Sequence, residues 1–170
     1  MNHINLDREI LKLIEEQPEI SEKDIARTLS VSEELVKVRL AHLHDIRKKI
    51  LIMGNGHNGH HAIKKALEAE NYNVVNASDN SSALETVNAE RPDLVLLDTA
   101  FLNTDGFEIC KQLKANPRCC WVSVMMMSER NKTEDSVKAF KSGADDYVAE
   151  PFNPLEFKAR VGMVLRRSQI

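Results

Sequence analysis

The chain has 170 residues, 42% apolar and 29% charged, with a formal net charge of −3, enough for one medium domain and one very small one. This ordinary composition and slightly acidic balance give no general case for nucleic acid or a membrane surface, and no apolar run reaches the roughly 18 residues of a membrane-spanning helix. Met1-Asn2-His3 leads straight into a charged, periodic segment, so no signal peptide is expected, and Cys110, Cys119 and Cys120, none in a C-x-x-C pair, read as reduced thiols of a cytoplasmic protein.

Residues 1–46 have helical period throughout. Leu6, Ile10, Leu11, Leu13 and Ile14 form one apolar stripe, and Pro18 follows as a stop. Ser21 with Asp24 three residues on reads as a helix start, after which Ile25, Ala26 and Leu29 face inward. Leu29-Ser30-Val31 predicts a tight turn, Ser32 caps the next helix, and Leu35, Val36, Leu40 and Leu43 give that helix its core face. Three short helices make a helix-turn-helix unit over 1–46. The segment carries six basic and ten acidic side chains, a net of −4, and the remainder nets +1. A basic knot, Arg47-Lys48-Lys49, marks the seam.

From 48 to 170 strand and helix alternate. Ile50–Met53 is an apolar run ended by glycines, Ala62–Glu70 is helical, Asn73–Ala77 a strand and Ser81–Glu90 a helix. Leu94–Leu97 is a continuous apolar run, as a strand buried on both faces requires. Helices are predicted over Phe107–Ala115, Thr133–Ser142 and Pro154–Arg167, and strands over Val122–Met127 and Tyr147–Val148. Five strands alternating with five helices imply an α/β domain with a parallel sheet covered on both faces, whose ligands gather at the carboxyl ends of the strands.

Asp98 directly follows the central run, Ser128 ends the next strand, and Gly143-Ala144-Asp145-Asp146-Tyr147-Val148 leads into Glu150-Pro151-Phe152. The run LVLLDTAFLNTDGFEICKQLK resembles the phosphorylation-site strand, loop and helix of the receiver domain of bacterial response regulators, and the likeness extends from about Lys48 to Arg167. It implies a flavodoxin-like, doubly wound sheet. It gives Asp98 the phosphoacceptor position, Asp105-Gly106 the loop's Asp-Gly pair, Ser128 the position of the hydroxyl that follows the phosphoryl group, and Tyr147 that of the aromatic rotamer switch. The intervals from 98 to 128 and from 98 to 150 agree with the family without gaps.

Two positions depart from that pattern. The acidic pair that holds Mg²⁺ in the family falls on Gly54 and Asn55, and a hard divalent cation wants several carboxylate oxygens. The family's Lys before Pro-Phe falls on Glu150, whose charge repels a phosphoryl group. The resemblance with these departures implies a pseudo-receiver that needs no phosphorylation; a conventional phosphorelay through Asp98 stays as an alternative.

Gly54-Asn55-Gly56-His57-Asn58-Gly59 also fits G-x-G-x-x-G after a strand, with Asp79 near the end of the second strand. No second mononucleotide-binding half follows, so no cofactor is expected, although a glycine loop at a helix start can hold a small anion. His57, His60 and His61 sit in the same loop and face the place of Asp98; a transition metal held by them is a further alternative, with exposed loop histidines as the plainer reading. No catalytic set is expected, and the protein reads as no enzyme.

DIARTLSVSEELVKVRLAHL resembles the second and third helices of helix-turn-helix repressors such as the leucine-responsive regulator group, with Ala26 at the crossing and Ser30 at a turn position usually held by Gly. It implies double-stranded DNA as partner. The recognition helix runs from about Ser32 to His44, and its exposed set is Ser32, Glu33, Glu34, Lys37, Val38, Arg39 and His42. Glu33 and Glu34 weaken the electrostatic attraction to phosphates, and the chain leaves no room for a β-hairpin wing before the first receiver strand. The alternative is a helical docking or dimerisation module.

The last helix is similar to that of winged-helix response regulators, whose receivers dimerise through the face of their fourth and fifth helices. Asp145, Asp146, Glu156, Arg160 and Arg167 match charged positions of that face, with an ordinary solvated face as the alternative. A homodimer is expected, because one small helix-turn-helix rarely suffices for DNA. The reading is an atypical response regulator and transcriptional regulator, whose receiver acts by dimerisation or by sensing a partner protein; the alternative of another class is a signalling adaptor that binds no DNA.

Overall fold

The computed structural model describes residues 3–54, 58–77, 82–101 and 104–168. The chain divides into two compact units, Met1–Arg47 and Lys48–Ile170, each with its own core.

The first unit holds three helices, α1 (His3–Glu16), α2 (Glu22–Leu29) and α3 (Glu33–Ile46). Local chemistry sets their ends. Ser21 Oγ accepts from the Asp24 N–H and donates to the Asp24 carboxylate, and Ser32 Oγ accepts from the Leu35 N–H. Each satisfies an amide that the helix itself cannot. Ser30 turns the chain between α2 and α3 in the left-handed region, φ 55° and ψ 42°, and the Val31 N–H returns to the Ala26 carbonyl. The turn folds Ile25, Ala26, Val36 and Leu43 onto Leu6 and Ile10.

The second unit begins at β1 (Lys49–Met53) and continues through α4 (Asn58–Ala69), β2 (Asn73–Asn76), α5 (Ala83–Glu90) and β3 (Leu94–Asp98). A two-stranded ribbon, β4 (Ala100–Phe101) and β5 (Thr104–Asp105), leads into α6 (Gly106–Ala115). Then come β6 (Ser123–Ser128), α7 (Thr133–Lys141), β7 (Asp146–Ala149) and α8 (Pro154–Arg167). The sheet order is β2-β1-β3-β6-β7, every pairing parallel. The continuous apolar runs follow from burial on both faces. Ile50, Ile52, Leu94, Leu96, Met125 and Met127 pack under α4 and α8; Leu51, Met53, Val95, Leu97, Val124 and Met126 pack under α5, α6 and α7.

The strand order reverses between β1 and β3, and the carboxyl ends there open the crevice that such sheets use for ligands. Asp98 ends β3 opposite Met127 of β6, one residue past Leu97, which pairs with Met53 at the end of β1. Two differences from expectation sit at this edge. The short ribbon β4–β5 was not expected, and α4 starts at Asn58, four residues before Ala62.

Candidate functional site

A cavity of about 180 Å³ lies at the carboxyl edge, lined by His60, Asp98, Thr99, Ser128, Arg130 and Glu150 among others. Three connections shape it. The Thr99 N–H reaches the Met127 carbonyl, the Glu150 N–H reaches the Ser128 carbonyl, and the Gly106 N–H reaches the Thr99 carbonyl. Gly106 is required there: a Cβ would overlap the backbone of Asp98 and Thr99.

The central contact is between His60 and Asp98. His60 Nε2 lies 3.0 Å from Asp98 Oδ2, with both side chains largely buried. This corrects the expectation that His60 and His61 lie in a loop: both belong to the first turns of α4, which buries His60 and leaves His61 exposed. Gly54 makes the pairing possible, since a Cβ at 54 would overlap the imidazole ring and the Asp98 carboxylate. The hydrogen bond to Asp98 raises the His60 pKa above the ordinary imidazole value, against the lowering by burial; the charges of Asp98, Glu150 and Glu129 add to the rise.

The residues present do not fit a Mg²⁺ site. Position 54 has no carboxylate, the imidazole occupies the Asp98 carboxylate, and among the described residues no group of three or more His, Cys, Asp or Glu side chains could hold a metal ion. The same finding leaves the transition-metal alternative without a ligand set among the described residues. Asn55, His57 and Asp79 lie outside them.

Ser128 and Tyr147 are both engaged with Arg130. Ser128 Oγ accepts from the Arg130 N–H at 3.1 Å, and the Tyr147 hydroxyl donates to the Arg130 carbonyl at 3.0 Å. Sequence reasoning missed this shared backbone partner, which no side-chain pattern reveals. Glu150 stands at the first turn of α4, where a Cβ on Gly59 would come 3.7 Å from its Oε1. The positive end of a helix suits a carboxylate.

On α3, Glu33, Glu34, Lys37 and Val38 are exposed, Val38 to 56%. Lys37 lies 3.4 Å from Glu33, and Ser32 Oγ serves as the helix cap. The His42 side chain lies outside the described residues. Arg39 corrects the expectation of an exposed reading residue. It bonds Asp7 of α1 through Nε and Nη2, and the two side chains keep only 17% and 19% exposure. A helical position alone could not show this, because the acid lies 32 residues away.

The charged face of α8 and β7 is also used internally. Asp146 is buried and pairs with Arg160 at 3.1 Å, which corrects its place among exposed dimer-face charges. Arg160 also takes Glu156 at 2.9 Å. Asp145 accepts from Lys114 Nζ at 2.7 Å and from the Val124 N–H at 2.8 Å. Arg167 remains exposed.

The family model of the response regulator receiver domain matches residues 50–162. The chain belongs to the response regulator receiver family. A second model, winged helix-turn-helix DNA-binding, matches residues 5–46. Those residues hold the three helices; among the described residues no strand stands between α3 and β1 to form a wing. Among similar proteins, the Bacillus subtilis alkaline phosphatase synthesis transcriptional regulatory protein PhoP is 37% identical over 125 residues, 74% of this chain and 51% of that protein. The Escherichia coli phosphate regulon transcriptional regulatory protein PhoB is 38% identical over 101 residues, 59% of this chain and 44% of that protein. The chain thus spans about half the length of the relatives that it matches. A solved structure of a response regulator from Chloroflexus aurantiacus superposes with TM-score 0.66 at 25% identity, over 71% of this chain and 98% of that one.

Proposed function

We propose that this chain is an atypical response regulator acting in the cytoplasm: a transcriptional regulator that binds double-stranded DNA through α2 and α3. Its receiver works without phosphorylation of Asp98, as a dimerisation or partner-sensing module. The observation that carries the second half is the His60–Asp98 pair seated in the space that Gly54 leaves. His60, whose pKa the pairing raises, takes the Asp98 carboxylate that a metal would otherwise use, while Glu150 adds repulsion toward an incoming phosphoryl group. In this reading Ser128 and Tyr147 hold the β6–α7 loop through Arg130 rather than following a phosphoryl group.

DNA binding is supported by the family match over 5–46 and by two capped helices joined through a tight turn. The likeness of this pair to the leucine-responsive regulator group points the same way. Lys37 reaches phosphate, Val38 offers an apolar contact to a thymine methyl, and Glu33 and Glu34 accept from cytosine. Exposed Val137 and Phe140 on α7 favour a homodimer through that face. One observation favours a second reading, an adaptor that docks proteins through both units: Arg39 is spent on Asp7 and Lys37 lies beside Glu33, so α3 shows mainly acids.

Selection from random duplexes by the full-length protein at two salt concentrations separates the readings. Sequence-selective binding, weakened by salt and by Lys37→Glu, is expected; no binding at low salt would establish the adaptor instead.

A further inference from the structure

A second concavity shares Glu129 and Glu150 with the Asp98 cavity. We infer that this groove, between α4 and the turn from β7 to α8, binds an organic cation with an apolar body, an amine whose charge rests on Glu150.

The groove has a volume of about 560 Å³, within the range of small-molecule sites, about 300–1,000 Å³. Its depth comes from small residues on α4: Gly59, Ala62 and Ala66 leave the room that larger side chains would fill. Pro151 and Pro154 stiffen the opposite wall. Phe152 lies stacked on buried Phe157, ring centroids 4.7 Å apart and 19° from parallel, so the aromatic wall is preformed.

The apolar walls end in carboxylates. Glu129 and Glu150 line the groove, and among the described residues no Lys, Arg or His does. Among the described residues the Glu150 carboxylate takes no hydrogen bond or ion pair, although it is half-buried. An anion would be repelled, and a neutral apolar occupant would leave that carboxylate desolvated and unpaired. A cation on a hydrocarbon or aromatic body satisfies both ends, with Phe152 offering a ring face to the charge.

Glu129 and Glu150 also line the Asp98 cavity, and their charges help to hold the proton on His60. A cation on Glu150 therefore acts on the His60–Asp98 pair next to it. That signalling role rests on the phosphorylation-independent reading; binding itself does not.

The test is calorimetric titration of the full-length protein with 2-phenylethylamine, with 2-phenylethanol and 3-phenylpropionate as neutral and anionic controls, and amide chemical-shift mapping. The amine should bind at about 1 mM or tighter, the usual range of a fragment, and the controls about tenfold more weakly. Shifts should centre on Ala62, Ala66, Glu150 and Phe152. Ala62→Trp, at an exposed position, should abolish binding with the melting temperature unchanged. Glu150→Gln should cost about tenfold, and Glu150→Lys should turn the preference toward phenylpropionate. Equal binding of amine and alcohol, shifts outside the groove, or wild-type affinity in Ala62→Trp would overturn the site, as would no saturation by the amine at about ten times the expected constant. Phosphorylation of Asp98 with amine binding intact would remove only the signalling role.

Discussion

At the scale of single residues, three positions act together. Gly54 omits a side chain, His60 fills the space, and Asp98 accepts the imidazole. The pair has a signed dependence on pH. Because its pKa is raised in the folded chain, His60 contributes stability that is fully present below the unfolded value of about 6.5 and is lost as pH rises through the folded value. Urea denaturation should therefore find His60→Gln less stable than wild type by about 1.5 kcal/mol near pH 5.5, a charge-assisted bond's usual worth, with the gap closing in alkaline buffer. A Gly54→Ala variant tests the geometry separately. Its Cβ meets the ends of two side chains rather than backbone, so the chain should fold while the imidazole is displaced. The His60 titration followed by NMR should then fall from its raised value toward the ordinary one; an unchanged titration would mean that Gly54 is not what admits the ring. That Asp98 and Ser128 end neighbouring strands was legible in the sequence, because each closes an apolar run. The His60 contact was legible only as a neighbourhood. Its cause is a missing atom at 54, and absent atoms leave no periodicity to read.

At the scale of elements, the strands were the clearest. Continuous apolar runs at 50–53 and 94–97 admit only strands covered on both faces, and the two cores alternate along each of them. The start of α4 was less legible, because Gly59, His60 and His61 are poor helix formers; the packing of Ile63 and Leu67 onto the sheet overrides their propensity. The ribbon β4–β5 has two residues in each strand, too few to show an alternation. In the first unit the caps Ser21 and Ser32 were readable from their spacing, and so was the turn at Ser30. That turn holds a residue with a Cβ in the left-handed region, which costs about 1–2 kcal/mol. Ser30→Gly removes this strain but adds unfolded-chain entropy worth about 0.5–1 kcal/mol. A net gain of about 0.5–1 kcal/mol is expected in chemical denaturation; a loss would show that the serine side chain stabilises the turn.

At the scale of the whole molecule, a helix-turn-helix precedes the receiver, and the matched relatives are about twice as long as the matched region. The family and its sheet were legible because some 20 consecutive residues around Asp98 carry a specific pattern. The partner of α3 was not, because exposure decides it: Arg39 counts toward DNA on a helical wheel and against it once Asp7 has claimed it. No helix among the described residues is long and apolar enough to cross a membrane. Glu150 lines one cavity with His60 and Asp98, and a Cβ at position 54 would overlap those same two side chains, so the residues at 54 and 150 bear on one electrostatic environment.

The most direct measurement is the intact mass of the full-length protein after incubation with a small phosphodonor and Mg²⁺. If His60 holds Asp98 and Glu150 repels the phosphoryl group, the mass stays unchanged, in wild type and in Asp98→Asn alike. Gain of one phosphoryl group by the wild type, absent in Asp98→Asn, would contradict the account and make this receiver a working phosphoacceptor.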